Sequence, residues 1–347
     1  MNNQNFIIFT GIVIGLIALT LVEFGNPSNM GFCAACFVRD ISGGLGFQTN
    51  AVVQYIRPEI IGLGLGAFII AVFTKSFKPI GSSSPMLRFV LATFVMIGAL
   101  VFLGCPTRMV LRLGGGDLNA IVGLFGFIFG LYIGFKFKES GFNLGEETKI
   151  SKSEGMVYPL LNVALLILLI TAPSFIYFSV TGPGAMRAPI ILSLSLSLIV
   201  GALSYKSEFC FSSAIAKAIF KKEFMHFFGI LALLITVLIG NIVLGNFKLS
   251  FISQPIAHTD GVFNFLGMLI VGWGSVMLRG CPFRQLVKAG GGNGNSGIVI
   301  LGFLIGAAIA HNFSLAATPK GLGINGQVAV IIILVLMLLI SFFGKRK

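Results

Sequence analysis

Charge is scarce in this chain: Asp, Glu, Lys and Arg make up only 10% of its 347 residues. Ordinary soluble domains carry about 25%, so a water-covered surface of normal composition is excluded. Histidine is limited to three positions, His226, His258 and His311. They are scattered, no second C-x-x-C accompanies Cys33-Ala-Ala-Cys36, and so no zinc-ligand set is assembled and no metal is expected. No P-loop is present, which argues against a nucleotide site, and no cofactor is expected. The first apolar run lacks a basic segment before it and an A-x-A site after it, so it is expected to remain as a membrane helix. Cysteine is limited to five, an odd number that cannot close a complete internal disulfide framework, so free thiols are expected.

What the chain has instead is apolar length. It is 56% hydrophobic, with a mean hydropathy of +0.99. Lipid is the solvent that suits such a surface, and helices are the element that spans it, because hydrocarbon offers an open backbone no partner. About 20 apolar residues cross about 30 Å of hydrocarbon. The sequence predicts ten such runs, near 5–24, 52–73, 86–104, 119–137, 157–179, 188–205, 225–245, 262–279, 296–313 and 327–343. The expected class is an all-α polytopic membrane protein. Its net charge of +13 does not indicate nucleic acid, because the basic residues fall between apolar runs. If all ten runs cross, 17 Lys and Arg lie on one face and 7 on the other. The basic face, including the Lys345-Arg346-Lys347 tail, is then expected to be cytoplasmic with both termini.

The strongest signal is a duplication. GCPTRMVLRLGGGDLN at 104–119 aligns with GCPFRQLVKAGGGNGN at 280–295 without a gap. Cys105 pairs with Cys281, Arg108 with Arg284, Gly114-Gly115-Gly116 with Gly290-Gly291-Gly292, and Asn119 with Asn295. Upstream, Phe32-Cys33 pairs with Phe209-Cys210. The chain is therefore expected to hold a first membrane repeat over 1–137, a polar linker and linking helix over 138–187, a second repeat over 188–313, and a loop and helix over 314–347. An odd number of crossings separates the repeats, so they are expected to be inverted, as in many transporters.

Segments 28–47, 105–117, 206–222 and 280–295 are too short or too polar to cross, and each carries cysteine. They are expected to be re-entrant, meeting near the middle of the bilayer, where irregular backbone is tolerated only against protein or a polar cavity. In G-C-P-x-R the proline suits the first turn of a helix, which puts Cys105 and Cys281 at helix N-termini that favour an anion. Arg108 and Arg284 follow one turn on and could complete an oxyanion site, while the glycine triplets could admit a ligand to the backbone. The combination asks for an anion that a thiol can contact, and a sulfur oxyanion qualifies. Cys33, Cys105, Cys281, Arg108 and Arg284 form the expected path. Cys36, Cys210, the two glycine triplets, Asn119 and Asn295 are secondary. Arg39-Asp40 is expected to pair, as are Glu59 with Arg57 and Glu208 with Lys206.

At Gly31-Phe32-Cys33, Gly104-Cys105-Pro106-Thr107-Arg108 and Gly280-Cys281-Pro282-Phe283-Arg284, the chain resembles the YeeE/YedE family of sulphur-transport membrane proteins. The resemblance implies two pseudo-symmetric helical halves with short inserted helices, in a bacterial cytoplasmic membrane. It also implies import of thiosulfate along a row of cysteines, here Cys33, Cys105 and Cys281, and a cytoplasmic sulfur-carrier partner of the TusA type. The C-A-A-C and A-G-G-G-N-G-N variants are most similar to the branch associated with selenium metabolism. No enzymatic activity is expected. Two other classes stay open at this point: a membrane thiol oxidoreductase using Cys33 and Cys36, and a general anion channel.

Overall fold

The computed structural model describes residues 3–344; the basic tail Lys345-Arg346-Lys347 counted above lies outside them. The chain forms helices α1 (Asn3–Glu23), α2 (Ala34–Gly44), α3 (Pro58–Phe73), α4 (Pro85–Val101), α5 (Pro106–Gly114), α6 (Asn119–Glu139), α7 (Lys152–Thr171), α8 (Ile190–Lys206) and α9 (Phe211–Ala216). A π-helical turn, Lys217–Lys221, follows α9; then come α10 (Met225–Val243), α11 (Gly261–Met277), α12 (Pro282–Gly290), α13 (Gly294–Asn312) and α14 (Ile324–Phe343). Two-residue strands β1 (Ile80–Gly81) and β2 (Thr148–Lys149) pair antiparallel at one end of the bundle.

Each apolar run anticipated above contains a helix, although α3 starts only at Pro58 and α7 ends at Thr171, and the protein is an all-α polytopic membrane protein. Among the described residues, eight helical segments are long and apolar enough to cross a bilayer. A ninth, α8, qualifies only together with α9 and the π-turn across a 40° bend. The tenth, α3, has 16 residues and rises only about 24 Å, short of the hydrocarbon thickness.

Two of the eight segments are composite: Pro85–Gly114 joins α4 to α5, and Gly261–Gly290 joins α11 to α12, each over 30 residues. Cys105 and Cys281 thus sit at breaks within long spans, which refines the re-entrant picture for α5 and α12. The breaks are made alike. Leu103 and Arg279, equivalent in the repeat, both adopt the left-handed region, at φ 61° and 59°. That costs a non-glycine residue about 1 kcal/mol or more. Proline then starts the next helix at Pro106 and Pro282.

The two repeats do not stand as separate bodies. α6 packs along α11 as α13 packs along α4, and α3 pairs with α8 as α10 pairs with α1. These are the partners that an exchange of halves would produce. Glycine sets the closeness: an added Cβ at Gly126 or Gly130 would run into the Phe265 or Leu269 carbonyl oxygen. At the equivalent Gly302 and Gly306 it would press on the carbonyls of Phe89 and Thr93, the small-residue contact by which membrane helices approach without a hydrophobic driving force. The glycine triplets close the symmetry. Lys248 N donates to Gly115 O, and Lys78 N donates to Gly291 O, both at 3.0 Å.

Candidate functional site

α2 begins at Cys33, whose sulfur caps the helix by accepting the Cys36 N–H at 3.3 Å. α5 begins at Cys105. The two N-termini converge, and Cys33 Sγ lies 3.9 Å from Cys105 Sγ. The second repeat does the same with α9 and α12: Cys210 Sγ lies 4.0 Å from Cys281 Sγ and 3.3 Å from Ser212 Oγ. Backbone N–H groups are directed at these sulfurs in matching positions. Those of Ala35 and Arg108 face Cys105, and those of Ser212 and Arg284 face Cys281. All five cysteines are free thiols. Each pair therefore offers two weak S–H donors among helix-end N–H groups that have no partner within their own helix, an environment that favours an anion.

A buried aromatic cluster joins the two repeats. Phe283 packs edge-on against Phe32 at 6.1 Å, Phe211 at 5.9 Å and Phe209 at 6.5 Å. Phe32 and Phe209 immediately precede the cysteines that start α2 and α9, so half of the cluster comes from the same duplicated motif as the thiols.

The two thiol pairs differ in their access. A cavity of about 300 Å³ reaches Cys210 and Ser212 from the basic face, lined by Lys138, Lys217, Lys221 and Arg279. Cys210 is 6% exposed, whereas Cys33, Cys36, Cys105 and Cys281 are wholly buried. On that opposite side the loop after α13 packs in, with Ala317 N donating to Leu100 O at 3.2 Å. Leu103, which replaces Arg279 of the other repeat, is buried there. Arg39, Asp40 and Arg57 form a sealed ion cluster, with Asp40 taking Arg39 Nη2 and Arg57 Nε at 2.7 Å each.

The expected arginines are employed differently. Arg108 is fully buried and donates to the carbonyls of Leu103, Asn29, Pro255 and Ile256, with Nη1 also 3.9 Å from Cys36 Sγ. Among the described residues no carboxylate pairs with it, so a full positive charge stands within the first repeat beside the thiols. Arg284 is partly exposed, donating to Ser204 O at 3.3 Å and lying 3.7 Å from Glu208. The Arg39–Asp40 pair forms as expected, but two other pairings do not. Arg57 takes Asp40, leaving Glu59 to accept from Asn26 at 2.7 Å and Ser193 at 3.2 Å. Glu208 goes to Arg284, while Lys206 lies over the Phe6 ring. Sequence proximity suggested the first partners; the fold brings a carboxylate or guanidinium from another element closer.

Cys33, Cys105 and Cys281 come to the convergent helix ends, and Cys210 proves as closely engaged as Cys33. The Phe-Cys repetition at 32–33 and 209–210 was the signal for it. Cys36 turns its sulfur toward Leu103 O, at 3.8 Å. The glycine triplets and the two asparagines lie a helix length away, at and just beyond the far ends of α5 and α12. Gly116 and Gly292 adopt φ 86° and 95° there, and added side chains at Gly115 and Gly291 would meet Asn29 and Tyr205. Asn119 donates to Asp117 and Phe251 O, and Asn295 accepts from Ser82. The aromatic cluster and the lysine-lined cavity are features that sequence reasoning missed.

A family model described as sulphur transport matches residues 206–343. The match is less than half of the chain, yet it takes in Cys210, Cys281 and Arg284, and the first repeat carries the same G-C-P-x-R motif at Gly104–Arg108. In a comparison with curated proteins, nothing matches this chain.

Proposed function

We propose that the protein imports a small sulfur oxyanion of the thiosulfate kind, or its selenium counterpart, by passing it between the two thiol pairs. The observation that carries the reading is the pairing of thiols at converging helix N-termini in both repeats, with one aromatic cluster joining the repeats beside them. The anion would meet Cys33 and Cys105 first, in the field of the unpaired Arg108 guanidinium. It would then pass the rings of Phe32, Phe209, Phe211 and Phe283 to Cys281 and Cys210, and leave through the basic cavity. Thiol contacts are weak, which suits conduction, since a site must release as readily as it binds. The rings would keep the path dry until an anion displaces them. With the basic face cytoplasmic, the state described is open inward and sealed outward, and a carrier of the TusA type would receive the product at the basic cavity.

The likeness of residues 206–343 to a sulphur-transport family supports the cargo class. The cavity lysines give one test. Lys217 and Lys221 attract an anion through the solvent-filled mouth, so reversing both charges (Lys217→Glu with Lys221→Glu) is expected to slow thiosulfate flux in proteoliposomes about fivefold at low salt. The deficit should shrink toward the parent at 1 M salt, where the Debye length is about 3 Å. A deficit that ignores salt would remove the cavity from the path.

A further inference from the structure

Three acids are buried among the described residues: Asp40, Glu59 and Asp117. Asp40 is held by Arg39 and Arg57, and Asp117 by Arg112. Glu59 stands apart, because among the described residues no cation lies within ion-pair distance of it. Its Oε1 accepts from Asn26 Nδ2 at 2.7 Å and from Ser193 Oγ at 3.2 Å, while its Oε2 has no partner. An ionisable side chain at membrane depth is costly, and an unpaired one marks an ion or proton route.

The surroundings suit both forms of a carboxyl. Glu59 lies in the first turn of α3, where the helix dipole stabilises a negative charge, and its hydrogen-bond partners are uncharged, as a neutral acid requires. α8 faces it with the buried hydroxyls of Ser193 and Ser197. α2 supplies the Arg39–Asp40 pair, and Arg57 is committed to Asp40 and to the carbonyls of Pro183 and Met186. Tyr55 stands nearby, with the Arg187 guanidinium 4.8 Å from its ring. α7 and α12 meet α3 at Gly64, more than a turn farther in, through Tyr158 and through Gly290, which follows Lys288 by two residues.

Asn26 connects this carboxyl in two directions. A cavity of about 550 Å³ beside the start of α8 is lined by Tyr55, Arg187 and Ala188, and Ala188 N donates to Asn26 Oδ1 at 2.9 Å. The Asn26 amide that holds Glu59 also donates to Gly31 O at 3.1 Å, one residue before Phe32-Cys33. A change of charge on Glu59 therefore alters the hydrogen bonding that positions the Cys33 turn. The proposed cargo adds a requirement of its own. A dianion entering a negative interior works against the membrane potential with both charges, and a proton carried with it cancels one.

We propose that Glu59 is the proton-binding residue of a thiosulfate–proton symport, an inference that rests on the import reading above. Glu59 takes one proton from the outer side, its carboxylate becoming the acid, and gives it up on the inner side as the anion leaves. A proton needs only the one open oxygen, Oε2; a metal cation would need several, and Oε1 is already occupied by donors.

The test is uptake into proteoliposomes with the potential clamped at zero. One proton per anion predicts that the parent accumulates thiosulfate about tenfold per unit of pH gradient, acidic outside. A pH-sensitive dye in the lumen of parent vesicles should report acidification when thiosulfate is added. Glu59→Gln keeps an acceptor for Asn26 but cannot titrate, so it should equilibrate thiosulfate without accumulating it, whatever the pH gradient. Parent uptake that ignores the gradient, accumulation in Glu59→Gln equal to the parent's, or accumulation that follows a sodium gradient instead would overturn the coupling and leave the import reading standing. No entry into parent vesicles would overturn both.

Discussion

Cys105→Ala and Cys281→Ala are each expected to lower thiosulfate uptake into proteoliposomes at least tenfold, with the protein still folded. The size follows from where the sulfurs sit. Each begins a helix half where a long span is interrupted, within 4.0 Å of a partner thiol, and alanine leaves the ion facing bare N–H groups and methyls. Removing one anchoring contact of about 1.5 kcal/mol from a buried polar passage is worth about a tenfold change in rate. Folding should tolerate the change, because Cys behaves as a small buried hydrophobe and alanine preserves the helix start. Cys210→Ala is expected to match Cys281→Ala, and Cys36→Ala to fall short of both, since Cys36 points its sulfur at Leu103 O. Uptake that follows Cys36 more closely than Cys105 would instead point to thiol oxidoreduction at Cys33 and Cys36.

The second large effect concerns stability. Asp40→Ala is expected to cost about 3–5 kcal/mol, the range for removing one partner of a buried ion pair. Asp40 is fully buried and holds both Arg39 and Arg57 at 2.7 Å. Arg57 is further committed to Met186 O and Pro183 O, at 3.0 and 2.7 Å, so it cannot turn outward to water. Truncating the carboxylate strands two guanidinium groups behind the sealed face. In thermal unfolding in detergent, the double variant Asp40→Ala with Arg57→Met should recover part of the loss, because the orphaned Arg57 charge is gone. A single variant as stable as the parent would show that the cluster is wetted and that this face is not closed.

Much of the fold was written in residue order. Apolar runs of bilayer length mark every helix that crosses or nearly crosses, and G-C-P-x-R marks Cys105 and Cys281 as helix starts because proline prefers the first turn. The offset between 104–119 and 280–295 gave the repeat, and Phe-Cys at 32–33 and 209–210 marked the thiols facing them. The breaks were hidden, because Leu103 and Arg279 carry side chains that ordinarily refuse the left-handed region, and only tertiary packing holds them there. Charge pairing was hidden for a related reason. Arg57 and Glu59 are neighbours in sequence, but α2 brings Asp40 to Arg57 while Asn26 and Ser193 take Glu59. The employment of Arg108 by the carbonyls of Pro255 and Ile256 depends on a loop 147 residues or more away in sequence, beyond the reach of any local pattern.

The central claim, that a thiol-lined path selects a sulfur-bearing anion, meets its most direct test in competition uptake. Proteoliposomes of the parent protein would be given labelled thiosulfate with unlabelled sulfate, an anion of the same charge whose terminal atoms are all oxygen. The thiol path predicts that thiosulfate accumulates and that at least tenfold excess sulfate is needed to halve the rate. Sulfate competing on equal terms, or no thiosulfate entering above empty vesicles, would contradict it.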